Sequence, residues 1–224
     1  MTSANPNTIL LALETAVGTG SLAILDFDRV VAQTDDSLPH PSRAEEVLGV
    51  VRSLMGNVGI GLQDLSAVAV SIGPGSYSGI RIGVATAIGL KNALGIPCRG
   101  ASLLEAIAAK TTGPSESAIV AAVPVGRNDI AWQQFEVSSG RTRPLSEPGL
   151  ISISDFATAL GNIELSIVRA PGATLARIDL GTGGHTFEAA DDDSTLAAAV
   201  GKYAAGTSGD ENLHPIYLRS GARV

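Results

Sequence analysis

The chain is predicted to be an α/β protein in which a mixed sheet is flanked by helices. Two observations carry that prediction. Three short apolar runs near the N-terminus are separated only by turn residues, which reads as an antiparallel meander. Apolar strand runs then alternate with helical patterns, an order that asks for strands covered by crossover helices.

The elements follow in order. Residues 8–13 (TILLAL) are a Leu-rich, β-branched run and read as a buried strand. Val17-Gly18-Thr19-Gly20 is a turn, residues 21–27 (SLAILDF) a second strand, Asp26–Arg29 a second turn, and Val30–Thr34 a third strand. Ser42 and Glu45 have capping-box spacing, and Val47, Leu48, Val51, Leu54 and Met55 behind them share one helical face, with Gly56 as the stop. Residues 67–72 read as a strand, Gly73–Gly79 as a tight loop, and Ser78 to Leu94 as a helix broken by Gly95-Ile96-Pro97. A short strand at 96–100 leads to a second capping pair, Ser102 and Glu105, and a helix through Lys110.

Residues 111–117 (TTGPSES) look like a linker and divide a lobe at 1–110 from a shorter one at 111–224. Strands at 118–125 and 129–137 flank the hairpin turn Gly126-Arg127-Asn128. A short helix at Ser154–Leu160, a strand at 165–170, a Gly- and Asp-rich loop over 171–193 and an Ala-rich helix at Ser194–Ala205 complete the reading. The second half resembles a shorter, looser echo of the first, without an exact repeat.

Composition narrows the function. Of 224 residues 45% are hydrophobic but only 4% aromatic, so Ala, Val, Ile and Leu must build the core. Charged residues are 17%, a low share that leaves apolar surface for a partner to cover. The net charge is -7, with no Lys/Arg cluster, which argues against an independent grip on a phosphate backbone. Cys98 is the only cysteine, so neither an internal disulfide nor a Cys-based metal cage can form. It reads as a small buried apolar residue rather than a thiol activated by Arg99. The N-terminus MTSANPNT lacks the pattern of a signal peptide, and the apolar stretch Ile80–Ile96 is interrupted by Arg81, Lys91 and Asn92. A cytoplasmic protein with no membrane span is expected.

Residues 73–83 read GPGSYSGIRIG. Pro74 between two glycines forces a sharp turn at the end of a strand, and the amides of Ser76 to Gly79 then open a helix, a ready anion site. Gly79, Gly83 and Ala87 form a smooth stripe along that helix. Glycine inside a helix costs about 1 kcal/mol relative to alanine, so the stripe answers a packing need. Three readings stay open on the residues alone: a helix packed tightly within the chain, a phosphate-binding loop, or a subunit interface.

LALET, AVAVSI, GPGSYSGIRIGVATAIGLKNALGIPCRGASLLEAIA and the tail Pro215-Ile216-Tyr217-Leu218-Arg219 together resemble the TsaB family. Its hallmark is a GPGSFTGLRIG-like segment, with Tyr77 and Ser78 here in place of Phe and Thr. The agreement is dense over residues 8–109 and returns at the tail. The resemblance implies an actin-like, Hsp70-like or sugar-kinase-like fold of two related lobes, and a non-catalytic subunit. Its expected role is scaffold for a TsaD-type catalytic subunit that transfers threonylcarbamoyl to the adenosine beside the tRNA anticodon, with a TsaE-type ATPase completing the set. A homodimer is expected when the chain is alone, and contact with tRNA only through the complex. The partner-facing surface implied is Gly75, Ser76, Tyr77, Gly79, Arg81, Ile82, Gly83, Thr86 and Ala87. Two departures stand out: Arg43-Ala44-Glu45 replaces H-S-E, and Pro124–Asp129 keeps little of D-A-R-(R/K)-G-E.

The alternative is an independent nucleotide hydrolase or peptidase-like enzyme of the same fold. Glu14 and Thr15 end the first strand where an Asp would be expected, and Gly18 lies in the following turn, a partial match to a vestigial nucleotide site. The competing reading makes Glu14 a strand-end hydrogen-bond acceptor and Gly18 and Gly20 hairpin residues. His40, His185 and His214 have no metal-ligand spacing, no Gly-x-Ser-x-Gly is present, and Asp191–Asp193 lack the spacing of a Ca²⁺ loop. No catalytic residue and no metal site is assigned. No cofactor is required, with ATP at the joint interface with the partner as an optional ligand.

Overall fold

The structure, a computed structural model, describes residues 8–34, 44–110, 116–138, 141–163, 166–178, 184–191, 194–206 and 213–218. Strands β1 (Ile9–Glu14), β2 (Ser21–Asp26) and β3 (Arg29–Gln33) form the expected meander. Helix α1 (Ala44–Asn57), strand β4 (Leu65–Ser71), helix α2 (Tyr77–Leu94), strand β5 (Cys98–Ala101) and helix α3 (Leu103–Ala109) follow. The sheet order is β3-β2-β1-β4-β5, antiparallel through the meander and parallel from β1 through β4 to β5.

The second half is β6 (Glu116–Val125), β7 (Asp129–Ser138), β8 (Arg141–Pro144), β9 (Gly149–Ser152), α4 (Ile153–Leu160), β10 (Ile167–Ala170), α5 (Gly172–Leu175), β11 (Thr186–Ala189) and α6 (Leu196–Gly206). Its sheet runs β11-β10-β6-β7-β8, with β9 added on β7. Read from the other edge, this is the first sheet again: a meander of three strands, then two parallel strands. The echo in the sequence is therefore a duplicated topology. The copies differ most between their two parallel strands, where the 18-residue α2 has only the four-residue α5 as its counterpart.

Period-2 burial divides the first sheet cleanly. Leu11, Leu13, Leu22, Ile24, Val68 and Val70 face α1 and α2. Leu10, Ala12, Ala23, Leu25, Ala67 and Ala69 face a central layer that also holds α3, α6 and one face of the second sheet (Ile119, Ala121, Val123, Phe135). The central layer joins the two halves. Helix α6 lies across β1 and β2, and α3 lies on β6 and β7. Alanines on the sheet and Gly201 on α6 permit a close approach; a Cβ at Gly201 would stand 2.5 Å from Leu25 Cδ1 and 3.0 Å from Ala12 Cβ. Polar ties hold the register of α6. The Ala197 amide donates to Ser21 Oγ at 3.0 Å, Arg99 donates to the Ala204 carbonyl at 2.9 Å, and Tyr203 donates to Glu105 at 3.0 Å.

Several sequence expectations are corrected. In α1 Leu48 is 46% exposed, and Val50 completes the buried row instead. The chain leaves α1 at Gly59, which takes φ +69, and not at Gly56. The expected loop over 171–193 contains α5 and β11, and β8 and β9 lie where no strand was expected. Ser42 and His40 lie outside the described residues. Ser102 does cap α3, accepting the Glu105 amide, while the Glu105 side chain turns to Tyr203.

Gly201→Val should overpack the α6 crossing and lower stability by about 1–3 kcal/mol, read as a reduced urea midpoint.

Candidate functional site

Glu14 closes β1 with 1% of its surface exposed. Its Oε1 accepts the Ala16 amide at 2.6 Å and the Val17 amide at 3.0 Å, curling residues 15–17 over the strand end. Burial pushes its carboxyl up to about 7, and the two amide bonds pull the other way. The curled turn is the seat of α2. The Ser76 amide donates to the Ala16 carbonyl at 2.7 Å, and Thr15 Oγ1 donates to the Gly79 carbonyl at 2.7 Å. Ser76 then caps α2 by accepting the Gly79 amide, one residue earlier than the sequence reading began the helix.

The glycine stripe answers a packing need, as its cost implied, but within the chain. Gly79, Gly83 and Ala87 are buried. A Cβ at Gly79 would collide with the Thr15 carbonyl, and one at Gly83 would stand 2.5 Å from Thr15 Oγ1 and 3.3 Å from Val70. The assignment of these three residues to a partner surface is corrected: the close approach is to β1 and β4, so bulk at Gly83 unseats α2 from its own sheet. Ser76, Tyr77 and Arg81 are exposed, and Gly75, Ile82 and Thr86 are half-buried.

The strand that precedes this helix ends in a tight loop. Gly73 takes φ +97, the Gly73–Pro74 peptide is cis, and a Cβ at Gly75 would stand 2.7 Å from Ala16. The C-terminal segment docks here, with the Ile216 amide donating to the Ile72 carbonyl at 2.8 Å. Pro74, Gly75, Ser76, Tyr77, the hairpin residues Val125 and Gly126, and Tyr217 and Leu218 line a cleft of about 420 Å³. The Tyr77 and Tyr217 rings lie 4.8 Å apart at 40°, and the Arg81 guanidinium sits 4.0 Å above the Tyr77 ring. Tyr217 entered the sequence reading only as part of a tail motif, because nothing local signals a pairing with Tyr77. Gly18, with φ +58 in the β1–β2 turn, is exposed, and a Cβ added there would meet nothing within 4 Å.

A second surface lies on the outer side of α1 and α2, which pack side by side over one face of the first sheet. Leu48 (46% exposed), Ile88 (39%) and the exposed Ala85 point outward there. Gly49 and Gly89 add open backbone, since a Cβ at either would meet nothing within 4 Å. Sequence periodicity missed Leu48 by counting it into the core.

The remaining candidates have structural surroundings. Cys98 is fully buried in the core beneath α1 and α2. His185 accepts the Ser166 amide through Nδ1 and contacts the Leu160 carbonyl through Nε2. Asp191 accepts the Gly172 amide at 2.8 Å. Among the described residues no three His, Cys, Asp or Glu side chains are grouped to hold a metal. Among them too, no helix is long and apolar enough to cross a membrane.

Two predictions follow from this packing. Gly79→Ala should destabilise by about 1–3 kcal/mol in spite of its better helix propensity, whereas Gly89→Ala should stabilise by up to about 1 kcal/mol; thermal or urea midpoints distinguish them. For Glu14, the folded carboxyl titrates near 7 and an ordinary one near 4.5, so the folded state holds the extra proton between those values. Stability should fall as pH rises through that window and level off above it, by about 3 kcal/mol. Glu14→Gln keeps an acceptor for both amides and should flatten the dependence; an unchanged slope would assign it to another group.

Comparison with known proteins places this geometry. Residues 40–186 match the family model described as TsaD, tRNA N6-adenosine threonylcarbamoyltransferase. The tRNA threonylcarbamoyladenosine biosynthesis protein TsaB of Bacillus subtilis is 40% identical over 102 residues, covering 45% of this chain and 43% of that protein. TsaB of Escherichia coli is 28% identical over 130 residues, covering 57% and 54%. The chain spans about half the length of the curated relatives it matches. A Pseudomonas aeruginosa structure described as similar to peptidase YeaZ superposes with a TM-score of 0.70 at 23% identity, over 95% of this chain and all of that one. Component A of (R)-2-hydroxyglutaryl-CoA dehydratase from Acidaminococcus fermentans superposes with a TM-score of 0.55 at 10% identity, over 88% of this chain and 97% of that one, and so shares the two-lobed fold. The match over residues 40–186 takes in more than half of the sequence, and the chain belongs to the TsaD family as a TsaB/YeaZ-like protein.

Proposed function

We propose that this chain is a non-catalytic scaffold subunit in the biosynthesis of threonylcarbamoyladenosine in tRNA, acting through association with a TsaD-type catalytic subunit. The observation that carries the reading is the family match over residues 40–186, taken with the 40% identity to a TsaB protein. The surface proposed for the partner is the outer side of α1 and α2, where Leu48, Ala85 and Ile88 present apolar area beside the open glycines 49 and 89. Ile82 and Thr86 flank it on α2, and Ser76, Tyr77 and Arg81 border it at the start of that helix. Two apolar helices laid against two more would bury such a face, and the same face would serve a homodimer when the partner is absent.

Glu14 supports a scaffold rather than an independent hydrolase. Its one described role is to hold the Ala16 and Val17 amides, and Thr15 is engaged with Gly79. With a net charge of -7, the chain meets tRNA through the assembled complex rather than alone. In this reading no cofactor is required for the scaffold role, ATP binds at the joint interface if at all, a TsaE-type ATPase joins the same assembly, and the protein works in the cytoplasm.

Size-exclusion chromatography with light scattering tests the proposal, on the chain alone and mixed with the TsaD-type protein of its own organism. A stable complex is expected, with Ile88→Asp and Leu48→Asp each weakening it about ten-fold or more, about 1.4 kcal/mol, while the exposed positions leave the fold intact. A complex indifferent to both changes would refute the proposed face. No complex, together with ATP turnover abolished by Glu14→Gln, would establish the independent enzyme instead.

A further inference from the structure

We propose, on the scaffold reading of this chain, that Arg81 is the point at which the outer side of α1 and α2 receives a carboxylate of the catalytic partner, and that the C-terminal Tyr217 is the positioning residue that holds its guanidinium ready.

The arrangement follows from spacing on α2. Tyr77 and Arg81 are four residues apart, so they share a face, and Ala85 and Ile88 continue it. All four are exposed. The guanidinium carbon of Arg81 lies 4.0 Å from the centre of the Tyr77 ring, and the Tyr217 ring lies 4.8 Å from the same ring. Tyr217 is anchored on both sides. The Ile216 amide donates to the Ile72 carbonyl at 2.8 Å, and Ile216 packs with Leu213 on the core beneath α1 and α2. Leu218 packs on the central layer. The tail thus fixes a ring, that ring backs Tyr77, and Tyr77 carries the guanidinium.

The free half of this cluster is a cation. A guanidinium stacked on an aromatic ring keeps its N–H groups for other acceptors. Among the described residues, no carboxylate lies in ion-pair reach of Arg81. In the free chain water serves those N–H groups. A partner laid over Tyr77, Ala85 and Ile88 takes that water away, and a dry guanidinium without an acceptor is strongly unfavourable. A partner that covers this face therefore has to bring an acceptor, and an ionised carboxylate matches the guanidinium fork with two hydrogen bonds. The charge balance agrees. Helices α1 and α2 hold Arg52, Arg81 and Lys91 against Glu45 and Glu46, and α2 has no acid at all, in a chain of net charge -7. Tyr217 contributes by ordering: an exposed arginine gives up rotamer freedom when it pairs, and one already stacked on a held ring gives up less.

The test measures the affinity of the full chain for the TsaD-type protein of its own organism by titration calorimetry at low and high salt. Arg81→Met keeps an apolar stem and should weaken binding about ten-fold while flattening its salt dependence. Tyr217→Ala should weaken binding about three-fold in the natural chain and add nothing beside Arg81→Met, because the tyrosine acts through the guanidinium. Tyr217→Phe keeps the ring and should bind as the natural chain does. Unchanged affinity and salt slope in Arg81→Met overturn the proposal. An equal loss from Tyr217→Ala with and without Arg81 overturns the positioning role and makes the tyrosine a direct contact. Self-association weakened as much as the complex would assign the carboxylate to a second copy and overturn the choice of partner. A complex broken by Ile88→Asp yet indifferent to Arg81→Met leaves the scaffold reading standing and overturns the carboxylate alone, whereas no complex at all overturns both. Arg81 is exposed, so Arg81→Met decides the matter even if Tyr217→Ala loosens the tail.

Discussion

At the end of β1 two elements compete for one volume. Thr15 brings its carbonyl and its hydroxyl to the place where α2 must pass, and α2 can pass because residues 79 and 83 carry no side chain. The Thr15–Gly79 hydrogen bond then fixes the depth of the helix. Other features depend on that depth. It sets Ser76 beside Ala16, turns Tyr77 toward Tyr217, and decides that Arg81, Ala85 and Ile88 face outward while Ile80, Val84 and Ala87 face the sheet. Glycine's cost in helix propensity is offset by the burial that the close approach allows.

The duplicated topology gives that helix its meaning. Both halves follow one plan, and α3 and α6 occupy equivalent positions, each seated on the sheet of the opposite half. The asymmetry is confined to the outer side. In the first half α1 and α2 cover the sheet and leave an apolar outer surface. In the second, α4 and the four-residue α5 cover a smaller core around Phe156, Leu160 and Ile178. Among the described residues, the exchange of a long helix for a short one in the second copy leaves the broad helical surface on the first, which is where the partner is proposed to sit.

Much of this was legible in the sequence, and the failures have physical causes. The meander, the long helix, the hairpin at Gly126 and the cap at Ser102 were readable because local signals decide them: alternation, turn glycines and capping serines. The stripe Gly79-Gly83-Ala87 was rightly read as a place of close approach and wrongly given to another subunit. Spacing shows which residues share a face and is silent on what that face meets. Leu48 failed for the same reason, since at helical spacing it and Val50 compete for the core and only the packing against the sheet chooses. Strands β8, β9 and β11 carry four residues each, too few for a period to show, and β11 lies in a Gly- and Asp-rich stretch whose composition argued for a loop. The Tyr77–Tyr217 pair is set by contacts distant in sequence, which no local pattern encodes.

The seat of α6 has a consequence for how the chain reaches this state. One face of the first sheet, lined by Ala12, Ala23, Ala67 and Ala69, is covered by a helix at 196–206, while the strands beneath it are made from residue 9 onward. During synthesis the first half emerges with its inner face still bare, and small side chains give that face little grip on substitutes. The halves therefore cannot mature one after the other like beads. A nascent chain shortened before α6 would hold a formed meander and an open flank, a species that quality-control machinery recognises by its exposed apolar surface, and completion of the N-terminal half waits on a helix made from residues 196–206.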